Sequence, residues 1–188
     1  MLDPELTFAV RIKRLAGKCF YHLWQLRTVR RTLTMDAANT LVHAFITIRM
    51  DYCNSVFGNA SAVHLYPLQS VLNAAARIIM WKRKYDHISA TIRDQLHWLP
   101  VKQWIDHKLC TLINYKSLHN VTPVYLRDMC IPVSSILGCS SLRSAAHSDL
   151  WHQHTRTKTL GPRAFAVLGP STWNTLPATV RDLLLIYR

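Results

Sequence analysis

Residues 68–108 read LQSVLNAAARIIMWKRKYDHISATIRDQLHWLPVKQWIDHK, and the fold of the chain follows from how this run is patterned. With Leu65 before it, the stretch places Leu68, Val71, Leu72, Ala75, Ala76 and Ile79 mostly three or four residues apart. That spacing predicts an amphipathic helix with one buried face. Ala74, Ala75 and Ala76 are small enough to let a neighbouring backbone approach closely. The apolar face then gives way to Lys82, Arg83 and Lys84, flanked by the aromatics Trp81 and Tyr85. A short helix from Ser89 to about Leu96 comes next. His97-Trp98-Leu99-Pro100 ends it and starts another, since proline suits a first helical turn, where its missing N–H is not needed.

The pattern continues outward in both directions. Upstream, Asp3-Pro4-Glu5 reads as a helix start. Phe8, Ile12, Leu15, Cys19, Leu23 and Leu26 then mark one helical face to about Val29. The rest of that surface carries Arg11, Lys13, Arg14, Lys18, Arg27, Arg30 and Arg31. Thr34 caps a second predicted helix, on which Ala38, Leu41, Val42, Phe45, Ile46 and Arg49 follow the period. Asp51-Tyr52-Cys53-Asn54 and Gly58-Asn59 punctuate its end. Ser61 opens the helix of the central stretch, with Pro67 expected to kink it or delay its regular part. Three such helices with short connections make a small bundle.

Downstream, the helix from Pro100 is predicted to reach about Leu118, burying Val101, Ile105, Leu109, Leu112 and Ile113, and a brief helix follows Thr122-Pro123 through Met129. Trp98 and Trp104 sit among apolar positions and read as packing aromatics. Helical periodicity is lost over residues 132–159, and residues 142–159 are expected to form short, weakly paired strands or to remain loose. Gly161-Pro162 and Gly169-Pro170 read as turns, and residues 171–187 as ending in a helix. The predicted class is therefore mainly α: a small helical bundle over residues 1–86, a helical connection over 87–130, and an irregular, partly β region over 131–188.

At 188 residues and 49% hydrophobic, the chain can bury a core as one domain or two small ones. Its charge is lopsided, with 23 Lys and Arg against 10 acids and a net +13. A pI near 10.0 favours a polyanionic partner, nucleic acid before a membrane surface. No apolar run reaches the ~18 residues of a membrane span, so a soluble protein without a membrane partner is expected. Five cysteines with no C-x-x-C pair read as reduced, mostly buried thiols of an intracellular protein.

Catalytic chemistry has little support. Two-metal phosphoryl transfer needs clustered carboxylates, but the sequence has no Asp-Asp pair and its acids are scattered singly. No G-x-S-x-G elbow is present, and Ser171 follows a proline. Cys130, Cys139, His147, His152 and His154 fall within 25 residues. The eight residues between the two cysteines are not a zinc-knuckle spacing, and no metal or other cofactor is expected. The basic, aromatic-flanked residues 81–85 are the best binding candidate, pairing phosphate neutralisation with rings able to stack on bases. The same cations would also complement the negative end of a helix.

Several boxes resemble a known family. NAAARII (73–79), YDHI (85–88), LHWLPV (96–101) and IDHK (105–108) are similar to the region after the palm in LINE-type, jockey-like non-LTR retrotransposon reverse transcriptases. Residues 2–8 resemble the segment after the palm's last hairpin. LVHA (41–44) and MDYCNS (50–55) resemble the thumb helix and its exit, and GPRAF (161–165) and WNTLP (173–177) the C-terminal boxes. The resemblance implies a thumb-like bundle over residues 1–86 and a truncated, non-catalytic piece of an RNA-directed DNA polymerase. Its inherited role would be sequence-independent gripping of RNA–DNA hybrid or duplex by the backbone. The palm and fingers would be its protein partners, and DNA-targeted integration would place it in the nucleus. The candidate contacts are Arg11, Arg14, Lys18, Trp81, Lys82, Arg83, Lys84 and Tyr85, with Arg30 and Arg31 second. Two alternatives stay open, a non-enzymatic interaction or scaffold protein and a retrotransposon relic without function.

Overall fold

The structure, a computed structural model, describes residues 8–113, 123–139, 141–157 and 160–181. It is mainly α-helical, with a single two-stranded sheet among the described residues. The chain divides into two compact units, Met1–Ile105 and Asp106–Arg188.

In the first unit, α1 (Ala9–Val29) buries Ile12, Ala16, Cys19, Leu23 and Leu26, the face that the spacing predicts, with Ala16 added and Leu15 at its edge. The start expected at Asp3-Pro4-Glu5 lies outside the described residues. Thr34 caps α2 (Met35–Val42) by accepting from the Ala37 N–H at 3.2 Å. A π-helical turn, His43–Thr47, then leads into α3 (Ile48–Asp51). The buried residues here are Ala38, Val42, Ile46 and Met50, four apart throughout. A step of four overshoots a 3.6-residue turn by about 40°, so three such steps on a plain α-helix would swing the seam well off the core. The wider π turn takes back part of that rotation. Phe45 and Arg49, expected on the helical face, are exposed instead. An uninterrupted 3.6-residue period does not foresee the re-registration.

Cys53 and Asn59 adopt left-handed backbone (φ 55 and 56) on either side of the 3-10 turn Asn54–Phe57 and bend the chain into α4 (Ala62–Ile79). Leu65, Leu68, Val71, Leu72, Ala75, Ala76 and Ile79 are its buried residues, as the spacing predicts. Each large aliphatic side chain among them contributes about 1.5–3 kcal/mol of hydrophobic stabilisation. Pro67 lies inside the helix, which begins five residues earlier, at Ala62, and is not delayed by it.

Helices α1 and α4 pack chiefly against each other. Phe8 and Phe57 meet edge to face at 5.9 Å ahead of both helices, and Arg30, just past α1, reaches Ile79, the last residue of α4, so the two run parallel. Helix α5 (Ser89–Asp94) sets Ile88 and Ile92 on Ala76, where the small side chain admits them, and Leu96 and Trp98 close that cluster. Gln69 of α4 accepts from the Val101 N–H at 2.9 Å, satisfying an orphan donor at the start of α6 (Val101–Thr111).

The second unit holds α7 (Val124–Arg127), α8 (Arg143–Ala146) and α9 (Phe165–Asn174), with β1 (Ile131–Pro132) antiparallel to β2 (Leu150–Trp151). Its core gathers Cys110, Ile113, Cys130, Leu150 and Trp173. Gly169-Pro170 is not a turn, as its composition predicts, but the middle of α9. Both residues are buried, and a Cβ at Gly169 would stand 3.3 Å from Ile113 Cδ1. Burial of this face and of Trp173 therefore outweighs the hydrogen bond that Pro170 cannot make. Residues 182–187 of the expected final helix lie outside the described residues.

Candidate functional site

The parallel pairing of α1 and α4 brings two helix C-termini to the same end of the first unit. Around them opens a cleft of about 670 Å3. From α1 and the turn after it come Phe20, Leu23, Trp24, Arg27, Arg30 and Arg31. From α4 and its exit come Ala74, Arg77, Ile78, Trp81, Lys82, Arg83 and Lys84. Seven of these side chains are cationic and none is acidic. The helix ends explain only part of this. Each carries roughly half a negative charge, so two parallel ends offset about one cation. The other cations outnumber the neighbouring Asp86 carboxylate and leave a positive field focused in a concavity.

Arg30 organises the cleft. Its side chain is buried, and the guanidinium donates from Nε to Ile78 O at 2.7 Å, from Nη2 to Ile79 O at 2.8 Å and from Nη1 to Leu33 O at 2.7 Å. Two of those carbonyls belong to the last turn of α4, where no helical N–H remains to satisfy them. The Lys82 N–H reaches back to Arg77 O at 3.0 Å, closing a Schellman-type end. Trp81 occupies the left-handed position of that motif, with φ 54, where glycine is usual. Its ring lies 4.8 Å from the Arg30 guanidinium, a cation–π contact that helps offset the backbone strain.

Beyond Trp81, Asp86 Oδ2 accepts from the Arg83 N–H at 2.8 Å and folds residues 83–86 into a turn. Lys82, Arg83 and Lys84 are exposed around it. Arg77 donates from Nη2 to Asp86 O at 3.1 Å, and its buried Nε has no hydrogen-bond acceptor. Lys84 Nζ sits 5.4 Å from the Tyr85 ring.

Of the residues singled out from the sequence, the cleft assembles Arg30, Arg31, Trp81, Lys82, Arg83 and Lys84. Arg30 is placed as a buried cap, with its fork committed to carbonyls. Arg11, Arg14 and Lys18 are exposed on α1 but do not line the cleft, and neither does Tyr85. Phe20, Trp24, Arg27 and Arg77 line it without having been singled out. The available signal was spacing: Phe20, Trp24, Arg27 and Arg31 fall at steps of four, three and four, one stripe beside the buried face of α1.

Among the described residues, no three His, Cys, Asp or Glu side chains come together in a way that could hold a metal ion. Cys130 lies in the apolar core of the second unit, whereas His152 and His154 are exposed. Burial pushes the Cys110 thiol up to about 11, with the nearby Asp106 charge adding to the effect. Burial also raises Cys19, against the opposing pull of Arg49. No helix among the described residues is long and apolar enough to cross a membrane. Comparison with known proteins finds no matching family model, no matching curated protein and no matching solved structure.

Proposed function

We propose that the chain is the thumb and following segment of a LINE-type reverse transcriptase, and that it holds template–primer nucleic acid by its backbone without catalysing a reaction. The observation that carries this reading is the cleft at the paired ends of α1 and α4, with seven cations and no carboxylate. Such a lining neutralises phosphates whatever the sequence of the bases. The order of the boxes along the chain supplies the family. The inherited protein partners are the palm and fingers, and the inherited compartment is the nucleus.

Binding of the full chain to an RNA–DNA hybrid and to duplex DNA, measured across salt concentrations, tests the proposal. A steep salt slope without sequence preference is expected. Alanine at Lys82, Arg83 and Lys84 together should flatten the slope on duplex DNA by up to about 2.7, at 0.9 per lost phosphate contact. An unchanged slope would overturn the assignment of these residues, and absence of binding by a folded chain at low salt would overturn the function. A second reading rests on exposed apolar side chains such as Ile48, Tyr52, Val63 and Tyr66. If these dock a protein partner, the chain should self-associate or bind that partner while ignoring nucleic acid.

A further inference from the structure

We infer that the cleft takes an unpaired nucleotide of a single strand, with its base against Trp24 or Trp81 and its phosphates on Arg31 and the cations of residues 82–84. The inference rests on the proposal that this cleft meets nucleic acid, and it names the form of nucleic acid that enters. Three observations carry it.

The first is the pairing of ring and charge. A surface that grips only a duplex backbone needs cations, because stacked base pairs present phosphates and groove edges and keep their faces hidden. This cleft instead exposes two indoles, Trp24 at 66% and Trp81 at 61%. Large exposed aromatics beside cations are the composition that binds unstacked bases.

The second is shape. A cavity of about 670 Å3 is in the range of small-molecule sites. A duplex can lay its phosphates on the cations along the cleft but keeps its bases stacked, so it does not fill the cavity. One nucleotide, turned out of a strand, can.

The third is rigidity. Trp81 is held from below by a guanidinium whose own three hydrogen bonds anchor it to α4 and to Leu33. The left-handed backbone at Trp81 sets the direction of its Cα–Cβ bond. A ring fixed in this way loses little freedom on binding, which favours affinity without further contacts.

The test compares four probes of equal length on the full chain at one salt concentration: oligo(dT), oligo(rU), an abasic phosphodiester strand and duplex DNA. Oligo(dT) and oligo(rU) should bind at least about tenfold more tightly than the abasic strand, which carries the same charge without bases. Trp24→Ala and Trp81→Gly should each remove about ten- to a hundredfold of the affinity for oligo(dT) and oligo(rU), narrowing the gap to the abasic strand. Glycine suits the left-handed position, so Trp81→Gly should fold, and Trp81→Phe should recover part of the lost affinity. If the abasic strand binds as tightly as oligo(dT) and the tryptophan variants match the parent, the cleft is a backbone grip only. The inference then fails and the proposed function stands. If no probe binds the folded chain, both fall.

Discussion

Replacing Arg30 should damage the first unit more than replacing any other cation of the cleft. Its side chain is 4% exposed and satisfies three carbonyls, two of them at the end of α4. Hydrogen bonds from a charged donor are worth about 1.5–3 kcal/mol each. Removing the charge also removes the cost of keeping it from water, which returns part of that sum. With Arg30→Met the carbonyls are left behind, each costing about 1–3 kcal/mol where no water replaces the guanidinium. The net expectation is a loss of about 3 kcal/mol, equivalent to some 12–24 °C in the melting temperature of a unit of about 100 residues. Arg30→Lys separates charge from geometry. A single ammonium cannot reproduce the planar fork, so it should still lose about 2 kcal/mol. Arg31→Ala, at an exposed neighbour, should stay within about 0.5 kcal/mol of the parent. Urea titration followed by circular dichroism reads all three, with unchanged slopes confirming that stability alone has moved. If Arg30→Lys matches the parent, charge near the helix end suffices and the fork is not the anchor. The fixed platform under Trp81 would then be lost from the reasoning as well.

The second unit offers further tests. Asn174 pairs with Leu150 as a strand would, accepting from its N–H at 2.9 Å and donating to its carbonyl at 2.8 Å, and the neighbouring Trp173 donates to Ser148 O at 3.1 Å from a fully buried position. Asn174→Ala should cost about 2 kcal/mol and Trp173→Phe less than the 3–5 kcal/mol of Trp173→Ala, as read by urea denaturation. An Asn174→Ala chain as stable as its parent would show that the pairing with Leu150 adds nothing. The Cys110 thiol is buried and held up to about 11, so native-state alkylation should mark exposed Cys53 well before it. The unfolded thiol ionises near its ordinary value of 9.0 while the folded one does not. The stability this contributes is complete below 9.0 and is lost as pH rises toward 11. A denaturation midpoint that holds level across that interval would refute the assignment.

The helices were legible wherever one period sufficed. Leu65 through Ile79 keep to a single 3.6-residue seam, and α4 buries that set. The signal fails where two periods meet. Ala38, Val42, Ile46 and Met50 step by four, and only the π turn at His43–Thr47 keeps them on the core. Nothing local to those residues announces that turn, because it answers to the face α2 must present to α1 and α4. Gly169-Pro170 misleads for the opposite reason. Its composition is that of a turn, but its surroundings are apolar, and the packing of Ile113 and Phe165 on Gly169 decides in favour of helix.

The cleft was half legible, and the missing half is instructive. Residues 81–84 announce themselves because an indole and three charges are adjacent in sequence. Phe20, Trp24 and Arg27 are spread along one helix, where each alone reads as solvated surface. They become a wall only because α1 runs parallel to α4, so that both C-termini arrive together. Antiparallel packing would have set the basic end of α4 beside the start of α1, and no cavity would have gathered these cations. Arg30 ties the two facts into one. It lies at the end of α1, yet the carbonyls that it satisfies close α4. The contact that joins the two helix ends is therefore the same one that holds Trp81 over the cleft.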